Sequence, residues 1–256
     1  MRPRIRTFYP FASKLAFFCV LKLNERTHKI VEPVTKTIQN NIQQIEHQLF
    51  PFGTKLLPVT KTFGIEAIQE AYEAGCRQFG ENRVQELLPK FEQLPKDIEW
   101  HLIGHLQSNK VKYIAPFIAL IQSVDSEKLL AEINKQAQKC NRVIPCLLQV
   151  YIATEETKFG WNPEEVREWV VTRGFEKYPN IQIKGLMGMA SNSSDQNLVK
   201  SELKSLKLLF DSLKPFEVEG KLEIEILSMG MSSDYLVAAE VGSTLVRMGS
   251  AIFGTR

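Results

Sequence analysis

The chain has 256 residues, of which 44% are hydrophobic and 24% charged, and its formal net charge is +3. That length and composition are typical of one large globular domain or two small ones. The charge is too small to predict a nucleic-acid or membrane-surface partner, and we expect neither.

The cysteines and the first thirty residues bear on the compartment. No C-x-x-C pair occurs among the four cysteines, so neither a disulfide framework nor a zinc site is indicated, and a reducing, cytoplasmic setting is the simpler interpretation. Residues 1–33 begin basic and carry no acid before Glu25. They fit a targeting peptide, a disordered extension or a start codon placed too early. We expect the folded domain to begin at residue 34.

Helical and strand-like segments alternate along the first half of that domain. An opening helix over 34–48 precedes predicted strands at 56–61, 78–81, 99–106, 120–124 and 144–152. Helices with apolar residues at three- and four-residue spacing separate these strands. Gly75 ends the first of them, and Asp125 or Ser126 caps the helix after the fourth strand.

The second half predicts three more strands, at 183–189, 225–227 and 245–253. Asn162-Pro163, with Glu165 at the third position, marks the start of a capped helix before the first of them. A helix capped by Ser232 or Ser233 and closed at Gly242 precedes the last.

Eight strands written as continuous apolar runs, with helices between them, predict one fold. This is a single α/β barrel of the (β/α)8 TIM type, with an extra N-terminal helix. A doubly wound open sheet is the alternative. It would more often show a glycine fingerprint after the first strand, where Lys61-Thr62-Phe63-Gly64 stands instead.

Functional residues of a barrel gather at the carboxyl ends of its strands, and Lys61 ends the first one. Leu57, Val59 and Lys61 share a face by period-two alternation, so we expect the lysine to be partly desolvated, which favours its neutral amine. A neutral amine adds to an aldehyde to form an imine. The position also fits a lysine that reaches from a strand end to solvent.

The loops after strands seven and eight predict a phosphate site. Residues 228–232 precede a helix N-terminus, where N–H groups attract anions, and Gly249-Ser250 adds a turn with a hydroxyl. Glycine there lets the backbone approach an anion, although tight turns alone would also explain these glycines. A lysine on strand one together with a phosphate cradle is the combination that pyridoxal phosphate requires.

Arg247 and two histidines complete the candidates. An inward Arg247 would lie between the cradle and Lys61 and donate to a pyridine nitrogen, because a guanidinium has no acceptor. An outward arginine paired on the surface is the alternative. His101 and His105 lie four residues apart on a predicted strand, too far apart to share a metal, so we expect none.

Seven segments resemble one known family, the pyridoxal phosphate homeostasis proteins, which are single-barrel relatives of the N-terminal domain of alanine racemase. These segments are residues 59–62, 79–86, 100–110, 157–160, 185–187, 227–234 and 247–254. The resemblance spans residues 34 to 256, and motifs of this length in this order are highly specific.

The resemblance implies pyridoxal 5′-phosphate as the cofactor. The site residues that it implies are Lys61, Asn82, Met187, Ser228, Arg247, Gly249 and Ser250. Lys61 would carry the cofactor as a Schiff base, and Arg247 would face the pyridine nitrogen. Ser228, Gly249 and Ser250 would help hold the phosphate, and the other two would line the pocket.

Three residues depart from the family pattern. Pro58 stands where a small residue such as alanine is usual, and it removes a backbone donor from a central strand, so we expect local distortion beside Lys61. Gly64 replaces the usual proline near the helix start and loosens that turn. Tyr151 stands where an asparagine is common, which puts the polarity of that side of the pocket in doubt.

Two classes of function fit these residues. The first is a non-catalytic carrier that buffers the cofactor or delivers it to apo-enzymes, with no catalytic residue assigned. The second is a racemase-like enzyme, which needs a second acid/base group; the chain stops at Arg256 directly after strand eight, so we expect no second domain to supply it. Tyr235 and Tyr151 are possible substitutes. A Schiff-base aldolase without a cofactor is a further alternative. We expect a monomer.

Overall fold

The structure is a computed structural model that describes residues 37–153 and 160–254. Eight parallel strands form one sheet with helices packed around it, which confirms the predicted barrel. The expectations about residues 1–33, and most of the motif at 157–160, lie outside the described residues.

Most element bounds agree with the sequence-based ones to within a few residues. The strands are β1 (Lys55–Pro58), β2 (Gln78–Glu81), β3 (Glu99–Leu102), β4 (Leu120–Val124), β5 (Ile144–Tyr151), β6 (Ile181–Met189), β7 (Leu222–Ser228) and β8 (Leu245–Met248). The helices are α1 (Thr37–Leu49), α2 (Ile65–Glu73), α3 (Val84–Gln93), α4 (Val111–Ile114), α5 (Glu127–Lys139), α6 (Pro163–Val171), α7 (Gln196–Leu213), α8 (Tyr235–Val241) and α9 (Ser250–Phe253).

The strand order closes the sheet into a barrel. It runs β1-β8-β7-β6-β5-β4-β3-β2, and every ladder is parallel. In the described part of the chain a single bridge, Val59 to Gly80, joins β1 to β2, with Thr60 N donating to Gly80 O at 2.9 Å. Pro58, just before the bridge, has no N–H to donate. The expected irregularity at Pro58 therefore takes the form of a weakly paired seam.

Two apolar layers build the core. The larger one lies between the strands and the surrounding helices, and Ile68, Phe79 and Trp100 are fully buried in it. Parallel strands covered on both faces need such continuous apolar sequence. The smaller one fills the barrel interior with Leu120, Leu147 and Met187.

Helix α1 is the extra N-terminal helix that the apolar spacing predicts. Its buried face carries Ile42, Ile45 and Leu49, and Asn41 Nδ2 donates to Ile252 O of α9 at 2.8 Å. The helix therefore packs on the outside of the barrel, beside the end of the last strand.

Two helix starts differ in how well their caps were predicted. Asn162 caps α6 with a complete capping box that includes Glu165, as the sequence indicates. Asp234 occupies the cap position of α8, where Ser232 or Ser233 was expected. Gly242 does end α8, in the left-handed region at φ 104°.

Three predicted strands are too long. β1 ends at Pro58 rather than residue 61, β3 at Leu102 rather than residue 106, and β8 at Met248 rather than residue 253. After β8 the chain turns at Gly249 into helix α9. Short apolar runs do not distinguish a strand from a helical turn by periodicity, and the residues after Gly249 are such a run.

Neither a disulfide nor a membrane span occurs among the described residues. Cys76, Cys140 and Cys146 are free thiols. No helix in the described ranges is both long enough and apolar enough to cross a lipid bilayer.

Candidate functional site

A cleft of about 730 Å³ opens at the carboxyl ends of the strands. The described residues that line it are Val59, Lys61, Thr62, Phe63, Asn82, Ile103, Gly104, His105, Gln149, Met189, Met231, Ser232, Ser233, Arg247, Gly249, Ser250 and Gly254. Its position is the one that barrel proteins use for catalysis and binding.

Lys61 lies in the cleft, but in a different setting from the one its pattern predicts. β1 ends at Pro58, and Lys61 occupies a turn whose next residue, Thr62, has a φ of 71°. The Lys61 side chain is exposed, so the expected partial desolvation is wrong for this structure. Its amine is presented to the cleft from a turn and is accessible to a ligand entering from solvent.

A buried ion pair supports the backbone directly before Lys61. Lys90 Nζ, from α3, donates to Glu81 Oε1 at 2.6 Å and to Thr60 O at 2.8 Å. Thr60 Oγ1 donates to the same carboxylate oxygen at 2.5 Å. Desolvation raises the pKa of Glu81, although Lys90 and Thr60 oppose it. Glu81 Oε2 is buried and has no hydrogen-bond partner among the described residues, so the charged form of this carboxylate is only partly stabilised.

Arg247 faces inward and forms part of the cleft floor. Its Nη1 donates to Ser228 O and to Ser228 Oγ, both at 2.7 Å, and its Nη2 donates to Gly188 O at 3.0 Å. Burial lowers the pKa of Arg247 to about 10, and the nearby Asp234 opposes that shift. The guanidinium therefore stays charged near neutral pH, held by two carbonyl oxygens and one hydroxyl oxygen that accept from it.

The contacts of Arg247 continue as a polar chain through the barrel. Ser228 Oγ donates to Gln122 Oε1 at 2.6 Å, and Gln122 Nε2 lies 3.0 Å from His101 Nδ1. Burial lowers the pKa of His101 to about 4, so the ring is neutral and its Nδ1 accepts from the amide. Because a guanidinium can only donate, every hydrogen bond in the chain points from Arg247 towards His101.

The glycine- and serine-rich part of the cleft lies where the phosphate cradle is predicted. Gly249 lines it after β8, and a Cβ added there would lie 3.1 Å from Val59 O. Ser250 is exposed beside it, and Ser232 and Ser233 line the cleft from the loop before α8. In that loop Gly230 has a φ of 97°. These hydroxyls and the close-packed glycine suit an anion.

The structure brings five of the seven predicted site residues to the cleft lining: Lys61, Asn82, Arg247, Gly249 and Ser250. It does not bring Met187 or Ser228 there. Met187 is fully buried in the interior apolar layer, and Met189, two residues later, lines the cleft instead. Ser228 is fully buried beneath the cleft, and its hydroxyl oxygen accepts a hydrogen bond from Arg247 Nη1. The resemblance therefore implied these two residues without showing how deeply they are buried.

One arrangement in the cleft was not predicted. His105 Nδ1 lies 3.0 Å from Asp125 Oδ2, and His105 lines the cleft. The two residues follow neighbouring strands, β3 and β4, and that succession was the signal available in the sequence. Tyr235, considered as an acid/base group, donates to Gln48 Oε1 of α1 at 2.6 Å and is not among the lining residues.

The described lining is positively charged. It includes the cations Lys61 and Arg247 and no aspartate or glutamate. No group of three or more metal-ligating side chains occurs in the described ranges. The cleft is therefore suited to a small anion that can react with an amine.

Comparison with known proteins agrees with this geometry. The family described as the alanine racemase N-terminal domain matches residues 34–256. The pyridoxal phosphate homeostasis protein of Aquifex aeolicus is 42% identical over 206 residues, which cover 79% of this chain and 87% of that protein. The one of Schizosaccharomyces pombe is 39% identical over 215 residues, covering 83% and 89%.

Solved structures give the same result. PipY of Synechococcus elongatus, whose structure was solved with PLP bound, is 33% identical with a TM-score of 0.74, covering 85% of this chain and all of that one. Alanine racemase from Bartonella henselae, at 19% identity and a TM-score of 0.65, covers 86% of this chain and 59% of that one, and shows the shared fold. The chain belongs to the family of pyridoxal phosphate homeostasis proteins.

Proposed function

We propose that this protein holds pyridoxal 5′-phosphate as a Schiff base on Lys61 and serves as a carrier or buffer of that cofactor. One observation carries the proposal: an exposed primary amine and a buried guanidinium share a cleft whose described lining has no carboxylate. Family membership supports it, because PipY has a structure with PLP bound.

The residues present fit the chemical groups of the cofactor. When bound, pyridoxal phosphate supplies an aldehyde that condenses with an amine, and Lys61 offers one. Arg247 is fixed as a donor by Ser228 and Gly188, which suits it to face a pyridine nitrogen in its neutral form. Gly249 and Ser250, with Asn82 across the cleft, provide polar contacts for the phosphate and ring substituents.

Family membership supports a carrier over a racemase-like enzyme, and the position of Tyr235 removes one candidate for the second acid/base group. Its hydroxyl is bonded to Gln48 on the outer helix α1, so this candidate for a second acid/base group is directed away from the cleft. We further propose apo-enzymes that use the cofactor as partners, a monomeric state and a cytoplasmic location. The free thiols Cys76, Cys140 and Cys146 are in keeping with a reducing compartment.

Lys61→Ala is expected to abolish covalent binding. The purified protein, mixed with pyridoxal phosphate, should show an absorption band near the violet edge of the visible spectrum, and borohydride should fix the cofactor to the chain. The alanine variant lacks the amine and should show neither effect, as measured by absorbance and mass spectrometry.

Two further variants sharpen this test. Lys61→Arg keeps the positive charge but cannot condense with an aldehyde, so it should behave like the alanine variant. Lys139→Ala removes an exposed lysine from the end of α5 and should keep the band. A band that survives in both Lys61 variants would contradict the assignment.

The carrier role predicts that loaded protein hands its cofactor to an acceptor. Loaded protein mixed with an apo-enzyme that needs pyridoxal phosphate should restore activity faster than the cofactor dissociates into a trap in solution, because direct contact avoids release. The two rates are compared under identical conditions. Equal rates would reject direct delivery and leave only a buffering role.

A further inference from the structure

His105 and Asp125 form a hydrogen-bonded pair at the wall of the cleft. His105 Nδ1 lies 3.0 Å from Asp125 Oδ2, and 13% of the Asp125 side chain is exposed against 55% for His105. An ionised carboxylate can only accept, so Nδ1 carries the hydrogen and Nε2 is the basic nitrogen of the ring. Ser126 Oγ donates to the other carboxylate oxygen at 3.0 Å, which fixes the aspartate in turn.

The backbone directly before His105 is fixed by a close approach and a hydrogen bond. A Cβ on the preceding residue, Gly104, would lie 2.3 Å from Asn82 O, so only glycine lets this loop approach the loop after β2. Ser123 Oγ donates to Gly104 O at 2.6 Å. The loop of His105 therefore packs against Asn82, and β2 is the one strand between it and the strand that leads to Lys61.

The described residues that line the cleft include three with ionisable side chains, Lys61, His105 and Arg247. Arg247 stays protonated near neutral pH, since burial lowers its pKa only to about 10. Lys61 is the proposed reacting amine. An imidazole oriented by a carboxylate is a common arrangement for general acid–base catalysis.

We infer that the His105–Asp125 pair is a proton-transfer site that speeds the loading and unloading of an aldehyde on Lys61. The inference rests on the proposed function and deepens it: the cleft binds its ligand and also catalyses the exchange. A carrier needs fast exchange, because a covalent bond that forms and breaks slowly would limit the rate at which it supplies the cofactor.

The protons in this exchange balance within the pair and water. Loading joins Lys61 Nζ to the aldehyde carbon; two hydrogens leave nitrogen, the carbon–oxygen bond breaks, and one water departs. His105 Nε2 takes each of these two protons from nitrogen in turn and gives it to the departing oxygen, which leaves as water. Unloading is the reverse, with His105 taking the two protons of the incoming water in turn and giving them to Lys61 nitrogen. Asp125 orients the ring and stabilises its charged form in both directions.

The test compares the two rates with the equilibrium affinity. Apo-protein is mixed with pyridoxal phosphate in amine-free buffer and followed by stopped-flow absorbance, and release is measured into a trap. A catalyst speeds both directions equally, so His105→Ala should lower both rates by about 100-fold and leave Kd unchanged. Added imidazole should restore both rates. Asp125→Asn should lower both rates to a smaller extent.

The controls separate this inference from the proposed function. His47→Ala removes an exposed histidine of α1 and should leave both rates unchanged. His105→Gln, which keeps a polar side chain, should match His105→Ala if the loss is chemical rather than structural. Unchanged rates, or a change in Kd without rescue by imidazole, would overturn the role of the pair while Lys61 binding stands. Failure of the unaltered protein to load at all would instead reject the proposed function.

Discussion

Replacing Lys90 with methionine is expected to lower the free energy of unfolding by about 3–5 kcal/mol, because it leaves a buried carboxylate without its cation. Glu81 is fully buried, and its Oε2 has no hydrogen-bond partner in the part of the chain that the structure describes. The substitution also removes the donor to Thr60 O, next to Lys61. Denaturant unfolding measures the loss, and the loading of Lys61 should weaken in parallel.

The loss of unfolding free energy in Lys90→Met should grow as pH rises. Desolvation raises the pKa of Glu81 in the folded protein above its unfolded value, and loss of Lys90 strengthens that shift. The folded state then binds more protons than the unfolded state between the two values. Stability therefore falls as pH rises through that window. The Lys90→Met variant should be least impaired near the unfolded glutamate pKa of about 4.3 and most impaired above the raised value. An equal loss at all pH values would contradict this origin.

A double variant distinguishes the missing cation from lost packing. Glu81→Leu combined with Lys90→Met removes both charges, and apolar replacement of a buried pair is often neutral in stability. We expect it to recover most of the loss of the single variant. If the double variant is no more stable than Lys90→Met alone, packing around α3 dominates.

Gly185→Ala is expected to cost about 4 kcal/mol, through collision and backbone strain together. Gly185 has a φ of 137°, and a Cβ there would lie 2.0 Å from Ile226 O. It follows a register shift in β6, and both neighbouring ladders continue from it. Beyond it lies Gly188 O, which accepts from Arg247, so the variant should also weaken cofactor binding. Denaturant unfolding and absorbance titration measure the two effects.

Gly220→Ala is the matched control for that variant. Gly220 also has a positive φ, 71°, but a Cβ there meets nothing within 4 Å. Its cost should be only about 1–2 kcal/mol, the strain of a left-handed residue. If Gly185→Ala costs no more than Gly220→Ala, the close approach to Ile226 is not what requires glycine.

The barrel was predictable because its signals repeat. β2 and β4 have the predicted bounds, since each is a short run whose flanking turns are marked in the sequence. β8 was predicted too long because the apolar residues after Gly249 read equally well as strand or helix. The packing of α9 against α1, through Asn41 and Ile252, is a tertiary contact that no local pattern contains.

The sequence indicated most residues of the candidate site but not how deeply each of them is buried. Lys61 and Arg247 stand out because charged residues interrupt apolar strand ends. The resemblance implied Met187 and Ser228 as site residues but could not show that they are fully buried beneath the cleft. His105 and Asp125 are 20 residues apart, and only the neighbouring positions of β3 and β4 bring them together. The four-residue spacing of His101 and His105 gives no indication that Asp125 is the partner of His105.

The weak pairing of β1 with β2 has a consequence for motion. β5 is eight residues long and each one pairs with β6, whereas Val59–Gly80 alone bridges β1 and β2 among the described residues. Local opening begins where backbone hydrogen bonds are fewest. Amide hydrogen exchange should therefore be faster at this seam than between β5 and β6. Because Lys61 lies two residues after the bridging Val59, transient parting of the two strands would change the orientation of its amine without unfolding the rest of the barrel.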